Sequence, residues 1–242
     1  MRSPCRFLAF ALCLACTLRA EGQGRPEFRP AVLGSGPDSL INRIDTEALL
    51  KNGQKDGAIM FCSQIDQDGH ALASWTYRGS PGSELLEKEL MAKLKDAKFP
   101  PAIYEHQPVG VLMFASVLFS AENSPHIQIF LNQDGKALQA KADFIGPQPV
   151  FGADSKFTGL HWPNVQMPVL LTSAIVDLTI NVDEKGNLKD IDVLREEPPL
   201  LGFGVSALEE FRDAKFIPAF LSGAVEASAT ALPVCYKLGE RE

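Results

Sequence analysis

The chain has 242 residues, 45% of them apolar and 22% charged, and its 23 basic and 30 acidic side chains leave a formal charge of -7. This composition excludes a disordered tail, a collagen-like fibre and a disulfide-rich miniprotein, and the length predicts one or two globular domains. An acidic chain with no run of Lys and Arg to meet a phosphate backbone is a poor partner for nucleic acid.

Residues 1–20 read as an export signal. Arg2 and Arg6 form a cationic start, residues 7–18 (FLAFALCLACTL) are apolar, and Ala20 offers a small residue for cleavage. Twelve residues rise only about 18 Å as a helix, short of the roughly 30 Å hydrocarbon core, so the segment is expected to be removed. Lipid attachment at Cys16 and an uncleaved anchor are the alternatives. Removal takes Arg2, Arg6 and Arg19 and no acid, leaving 20 basic against 30 acidic side chains, a net charge of -10. No later stretch suits a span: residues 109–120 (VGVLMFASVLFS) suit a buried strand, and 165–180 are interrupted by Pro168 and Asp177. The expectation is an exported, periplasmic protein, or a membrane-tethered lipoprotein, with no membrane span after processing.

Residues 21–56 form an N-terminal linker with a short helix. In 57–120, Ile59, Phe61, Ser63 and Ile65 follow the period-two pattern of a strand with one buried face, and DQDG (66–69) makes a turn. A helix then begins at Ser83 and stacks Leu86, Leu90 and Leu94 on one side. Residues 121–160 hold a connecting hairpin and linker, in which 127–147 (IQIFLNQDGKALQAKADFIGP) read as a third hairpin about NQDG. In 161–240, Val176, Leu178, Ile180 and Val182 alternate with Asp177, Thr179 and Asn181, DEKG (183–186) turns, and 188–194 return as a strand. Ser206 and Glu209 form a capping box for a helix carrying Leu208, Phe211 and Lys215; Pro218 stops it, and one long strand over 225–238 closes the segment.

Shifting the chain by 117 residues lays 57–119 on 174–236 without a gap. DAKFPPA (96–102) falls on DAKFIPA (213–219), Asp66 and Gly69 on Asp183 and Gly186, Arg78 on Arg195, and Pro81 on Pro198. The match predicts an α+β protein built from two copies of one unit, each an antiparallel sheet with one main helix. A unit of about 60 residues is marginal alone, so the copies are expected to pack together.

This order of hairpin, helix, Phe-x-Pro-Ala turn and closing strand resembles the C-terminal domain of TonB and its TolA-like relatives. The second copy carries the pattern at Val182, Asp183, Gly186, Leu188, Ala207, Leu208, Phe216, Pro218, Ala219, Pro233 and Val234, the first mainly at Asp66, Gly69, Phe99, Pro101 and Ala102. The resemblance implies protein binding without catalysis, since family members pair strands with a peptide of an outer-membrane receptor or with one another. A TonB energy transducer keeps an anchored N-terminal helix and a long Pro-rich spacer, and 22–37 (GQGRPEFRPAVLGSGP) are too short for that spacer. A periplasmic scaffold with a protein partner in the cell envelope is the preferred reading; transport coupling, and a hydrolase or enzyme accessory with a site between the copies, are the alternatives. The expected mode is β-augmentation on the closing strand, at Val225, Ala227, Ala229, Ala231, Pro233 and Cys235, because Pro233 cannot donate to a ladder and belongs at an edge.

Cys5, Cys13 and Cys16 lie in the signal, leaving Cys62 and Cys235 as unrelated strand cysteines or as a disulfide pair. Alternation puts both on outward faces, so a disulfide requires those faces to meet. GFGVSA (202–207) has the outline of a dinucleotide fingerprint but lacks the parallel βαβ setting. DQDG and NQDG lack the rest of a calcium loop. His70, His106, His126 and His161 show no metal-ligand spacing, and no nucleophile elbow is present. The sequence therefore predicts no cofactor, no metal and no catalytic residue.

Overall fold

The structure is a computed structural model and describes residues 24–131, 135–140, 143–163 and 171–237. The export signal with Cys16 and Ala20, the Asn132 turn and the stretch containing Pro168 lie outside the described residues.

The described chain is α+β and its strands pair antiparallel. It enters through β1 (Phe28–Arg29), α1 (Leu40–Arg43) and α2 (Thr46–Lys51). A hairpin of β2 (Gly57–Ile65) and β3 (Ala71–Gly79) follows, then α3 (Glu84–Leu94), β4 (Ala102–Tyr104) and β5 (Gln107–Phe119). β2 lies between β3 and β5. Its Ile59, Phe61 and Ile65 point at one face, where Leu86, Leu90 and Leu94 of α3 are fully buried against them. The one-turn spacing of these leucines produces a single apolar stripe, which is why the helix lies flat on the sheet.

The connection contains β6 (Ile127–Leu131), α4 (Gly135–Ala140), β7 (Phe144–Ile145) and β8 (Gln148–Phe151). β9 (Ser173–Val182), β10 (Leu188–Glu197), α5 (Phe203–Phe211), β11 (Phe216–Ile217), β12 (Ala219–Leu221), β13 (Ala224–Glu226) and β14 (Ser228–Lys237) complete the fold. β9 is central between β10 and β14, and Val176, Leu178, Ile180 and Val182 bury against Phe203, Ala207 and Phe211 of α5.

The turn geometry recurs at the 117-residue spacing. Asp66 Oδ1 accepts the amides of Asp68 (2.9 Å) and His70 (2.8 Å); Asp183 Oδ1 accepts those of Lys185 (2.9 Å) and Asn187 (2.8 Å). Phe99 donates its amide to the Gly69 carbonyl and Phe216 to that of Gly186, both at 2.9 Å. Gly69 has φ +86° and Gly186 +75°, and a Cβ on either would stand 2.0 Å from the carbonyl oxygen of Phe99 or Phe216. Only glycine meets both demands.

At one end the sheet faces turned away from the helices touch, where Arg78 of the first sheet pairs with Asp177 of the second. Cys62, Leu112 and Phe114 of the first sheet also join the apolar cluster that holds Val176, Leu178 and Val234 on the α5 side of the second. β8 draws the segment after α5 into the first sheet, pairing with β5 at Gly110 and Val111 and with β11 at Phe216 and Ile217. Phe157 stacks between Phe151 and Phe211, with ring centroids 4.8 and 4.7 Å away, and extends this seam to α5. Gln148, with 0% exposure, accepts the Ala31 amide (2.8 Å) and donates to the Ala31 carbonyl (2.9 Å), so a side chain fills the place of a strand.

Several sequence expectations are corrected. Among the described residues of 127–147 no third hairpin forms: β6 pairs with β5, β7 with β12, and α4 lies between them, because GKALQA supplies helix formers and no β-branched residue. The long strand over 225–238 is two strands, since Ser222 and Gly223, both at positive φ, fold 219–226 into the tight β12–β13 hairpin. The capping box is absent. Glu196 Oε1 accepts the amides of Leu201 (3.1 Å) and Phe203 (3.0 Å), starting α5 one turn earlier and leaving Ser206 inside it. Pro218 does not stop this helix, which ends at Phe211 so that Lys215 and Phe216 can reach the Gly186 turn. Cys62 and Cys235 do not face solvent, at 0% and 3% exposure, because Cys62 joins the apolar cluster of the second sheet and Cys235 lies against Thr76 and Tyr77 of the first.

Candidate functional site

β14 pairs along its whole length with β9, from Ser228 opposite Val182 to Lys237 opposite Ser173. Its other edge carries no strand among the described residues. The corresponding edge of β5 is filled, by β6 over residues 115–119 and by β8 at 110–111. At the 117-residue spacing, residues 115–119 correspond to 232–236 of β14. Pro233 lies opposite Asp177 and has no amide hydrogen to give it, so its position belongs to the outward-facing set of the backbone. By alternation Ala229, Ala231 and Cys235 share that set. Thr230, Leu232, Val234 and Tyr236 turn their side chains inward and are buried. Of the residues expected on this edge, Val225 and Ala227 are not part of it: Val225 pairs with Phe220 in the β12–β13 hairpin, and Ala227 joins that hairpin to β14.

A cavity of about 250 Å³ lies beside β14. Met60, Tyr77, Phe114 and Ser116 of the first sheet line one side, and Asp177, Ala231 and Pro233 of the second line the other. Thr230 Oγ1 lines the same space and is buried without a hydrogen-bond partner. At one end Arg78 makes a bidentate pair with Asp177, at 2.9 and 2.8 Å, and Arg195 reaches Asp177 Oδ2 at 3.0 Å. Glu197 completes the group, 3.6 Å from Arg78 and 2.9 Å from Arg195. Burial alone would raise the Asp177 carboxyl, but its hydrogen bonds to Arg78 and Arg195 hold it below the usual carboxylate range. A carboxylate held this firmly in its charged form makes a weak general base.

A second titratable group lies on α5. Glu210 accepts a hydrogen bond from the Tyr236 hydroxyl (2.7 Å) and one from the His161 amide, and His161 Nδ1 stands 3.3 Å away. Desolvation raises its pKa despite these donors. The His161 ring is largely exposed, and the short hydrogen bonds tie the segment at 161–162 to α5, where Trp162 meets Phe203 edge-on at 4.9 Å.

The family-motif residues serve the turns. Asp66 and Asp183 cap them, Gly69 and Gly186 admit the passing backbone, and Phe99 and Phe216 are buried beside them. Pro101 offers its carbonyl to Arg29 at 3.0 Å, and Pro218 links β11 to β12. No His, Cys, Asp and Glu group of metal-binding size occurs among the described residues, and no described helix is long and apolar enough to cross a membrane. Arg78, Asp177 and Arg195 were not expected as a cluster. The signal was present in the register that lays Arg78 on Arg195, and in the acid that interrupts the apolar run of β9.

No protein-family model, no curated protein and no solved structure matches the chain.

Proposed function

We propose that this is a non-catalytic, exported scaffold of the cell envelope, built from two units that resemble the TonB C-terminal domain, and that it pairs β14 with an extended segment of a protein partner. One observation carries the reading: the edge of β5 already holds a strand, β6, while the corresponding edge of β14 stands open among the described residues. An open edge offers unpaired amides and carbonyls, and an antiparallel strand is their natural complement. The engagement of Asp177 by two guanidiniums supports binding over hydrolysis in the cavity between the sheets.

The test is a fluorescence-anisotropy titration with a labelled peptide carrying the β6 sequence IQIFL, since that sequence already satisfies the equivalent edge. Binding should raise amide protection at Ala231 and Cys235 in hydrogen exchange. Peptides N-methylated at alternate residues should divide into two sets, one binding normally and one weakened about fivefold or more per methyl, the loss of roughly one hydrogen bond each. No binding by any extended peptide, or binding indifferent to which residues are methylated, refutes the proposal.

A further inference from the structure

We propose that Cys62 and Cys235 form a disulfide that staples the closing strand of the second sheet to the central strand of the first. Their strand positions bring them to the seam between the sheets. Cys62 lies opposite Trp75 in the β2–β3 ladder, on the face turned away from α3, and Cys235 lies opposite Ile175 in the β14–β9 ladder, on the face turned away from α5. The Arg78–Asp177 pair, at 2.9 and 2.8 Å, joins those two faces two residues from each cysteine's strand position, Arg78 lying opposite Met60 and Asp177 opposite Pro233, and both thiols are buried and free. The aromatic neighbours link the pair. Trp75 is the ladder partner of Cys62, its Nε1 is buried without a hydrogen-bond partner, and Thr76 and Tyr77, next to it in β3, stand round the same pocket as Cys235. Tyr77 lines a pocket of about 280 Å³ together with Ile175 and Cys235. Burial, and to a lesser degree the Cys235 thiol, raise the cost of ionising Cys62.

The chemistry balances as thiol–disulfide exchange with a small external disulfide as oxidant. Cys235, reached through the pocket at Thr172, Ser173 and Lys237, attacks one sulfur of that disulfide as its thiolate and displaces the other as a thiol. Cys62 then attacks the Cys235 sulfur of the mixed disulfide, forming the internal S–S bond and releasing a second small thiol. Two protein S–H bonds are lost, and the oxidant carries away both hydrogens. Burial pushes both thiols up, Cys235 to about 11 and Cys62 well above its ordinary value, so the thiolates are scarce and exchange is slow in either direction. The bond is therefore a lasting clamp on β14 and not a rapid switch. It closes a loop of about 170 residues, the long-loop regime in which a cross-link restricts the unfolded chain most.

The folded, reduced chain processed after Ala20, whose cysteines are then Cys62 and Cys235, is incubated with oxidised glutathione near pH 8.5 and followed by intact mass. The expected product is the protein two hydrogens lighter, with no thiol left for alkylation until a reductant is added. Its thermal midpoint should exceed that of the reduced chain by about 5 °C or more. Two thiols that persist, a glutathione adduct that never resolves, or a midpoint indifferent to reductant overturns the proposal. Because every readout uses the unmodified sequence, it does not depend on whether Cys62→Ser folds.

Discussion

Replacing Gly186 by Ala separates two effects that glycine usually combines. At φ +75° an alanine carries strain of about 1 kcal/mol. The new Cβ would also stand 2.0 Å from the Phe216 carbonyl oxygen, and because that atom is backbone, no rotamer change can relieve it. The turn must withdraw, giving up the Phe216 amide bond to the Gly186 carbonyl and the bridge between Asn187 and Lys215, about 1 kcal/mol each. The expected loss is about 3–5 kcal/mol. Gly82 is the control: its φ is +83°, but nothing lies within 4 Å of its would-be Cβ, so Gly82→Ala should lose only the strain of about 1 kcal/mol. Urea unfolding followed by circular dichroism measures both, and in a chain of this size each kcal/mol moves the thermal midpoint by about 2–4 °C. Gly69→Ala, 2.0 Å from the Phe99 oxygen, should match Gly186→Ala. Equal losses at Gly186 and Gly82 would refute the steric reasoning, and unequal losses at Gly69 and Gly186 would refute the equivalence of the two turns.

Gln148→Ala strips the buried Ala31 amide and carbonyl of their partners and should cost about 2–4 kcal/mol in the same unfolding assay, although no apolar core side chain is touched. Asp177 is held below its ordinary pKa, so the stability it contributes is complete above the unfolded value near 4 and is lost as pH falls through the depressed folded value. Asp177→Asn should therefore lower the unfolding free energy at pH 7 by about 1–3 kcal/mol, with the half-exposed Arg195 discounted, and should flatten the decline of stability below pH 4. Thr230→Val removes a buried hydroxyl that has no partner and should leave stability unchanged or raise it by up to about 1 kcal/mol; a loss above that would mean the hydroxyl is satisfied in solution.

Local rules made much of the fold legible in the chain. Alternation in 59–65 and 176–182 marked the two inner strands, the spacing of Leu86, Leu90 and Leu94 marked the helix stripe, and the Asp-x-x-Gly segments marked the hairpin turns. Each signal depends on neighbours in sequence, so each survives without knowledge of the rest of the molecule. What covers the opposite face of a strand leaves no such trace. Period two shows that Cys62, Arg78, Asp177 and Cys235 lie opposite the helices, and it reads them as outward, but the tertiary packing buries Cys62, Asp177 and Cys235 and brings both arginines to one carboxylate. Edge occupancy is equally silent, because strands pair through backbone groups that every residue shares. Thus β5 and β14 look alike in sequence, and only the tertiary arrangement decides that one edge is filled by β6 while the other is left open among the described residues.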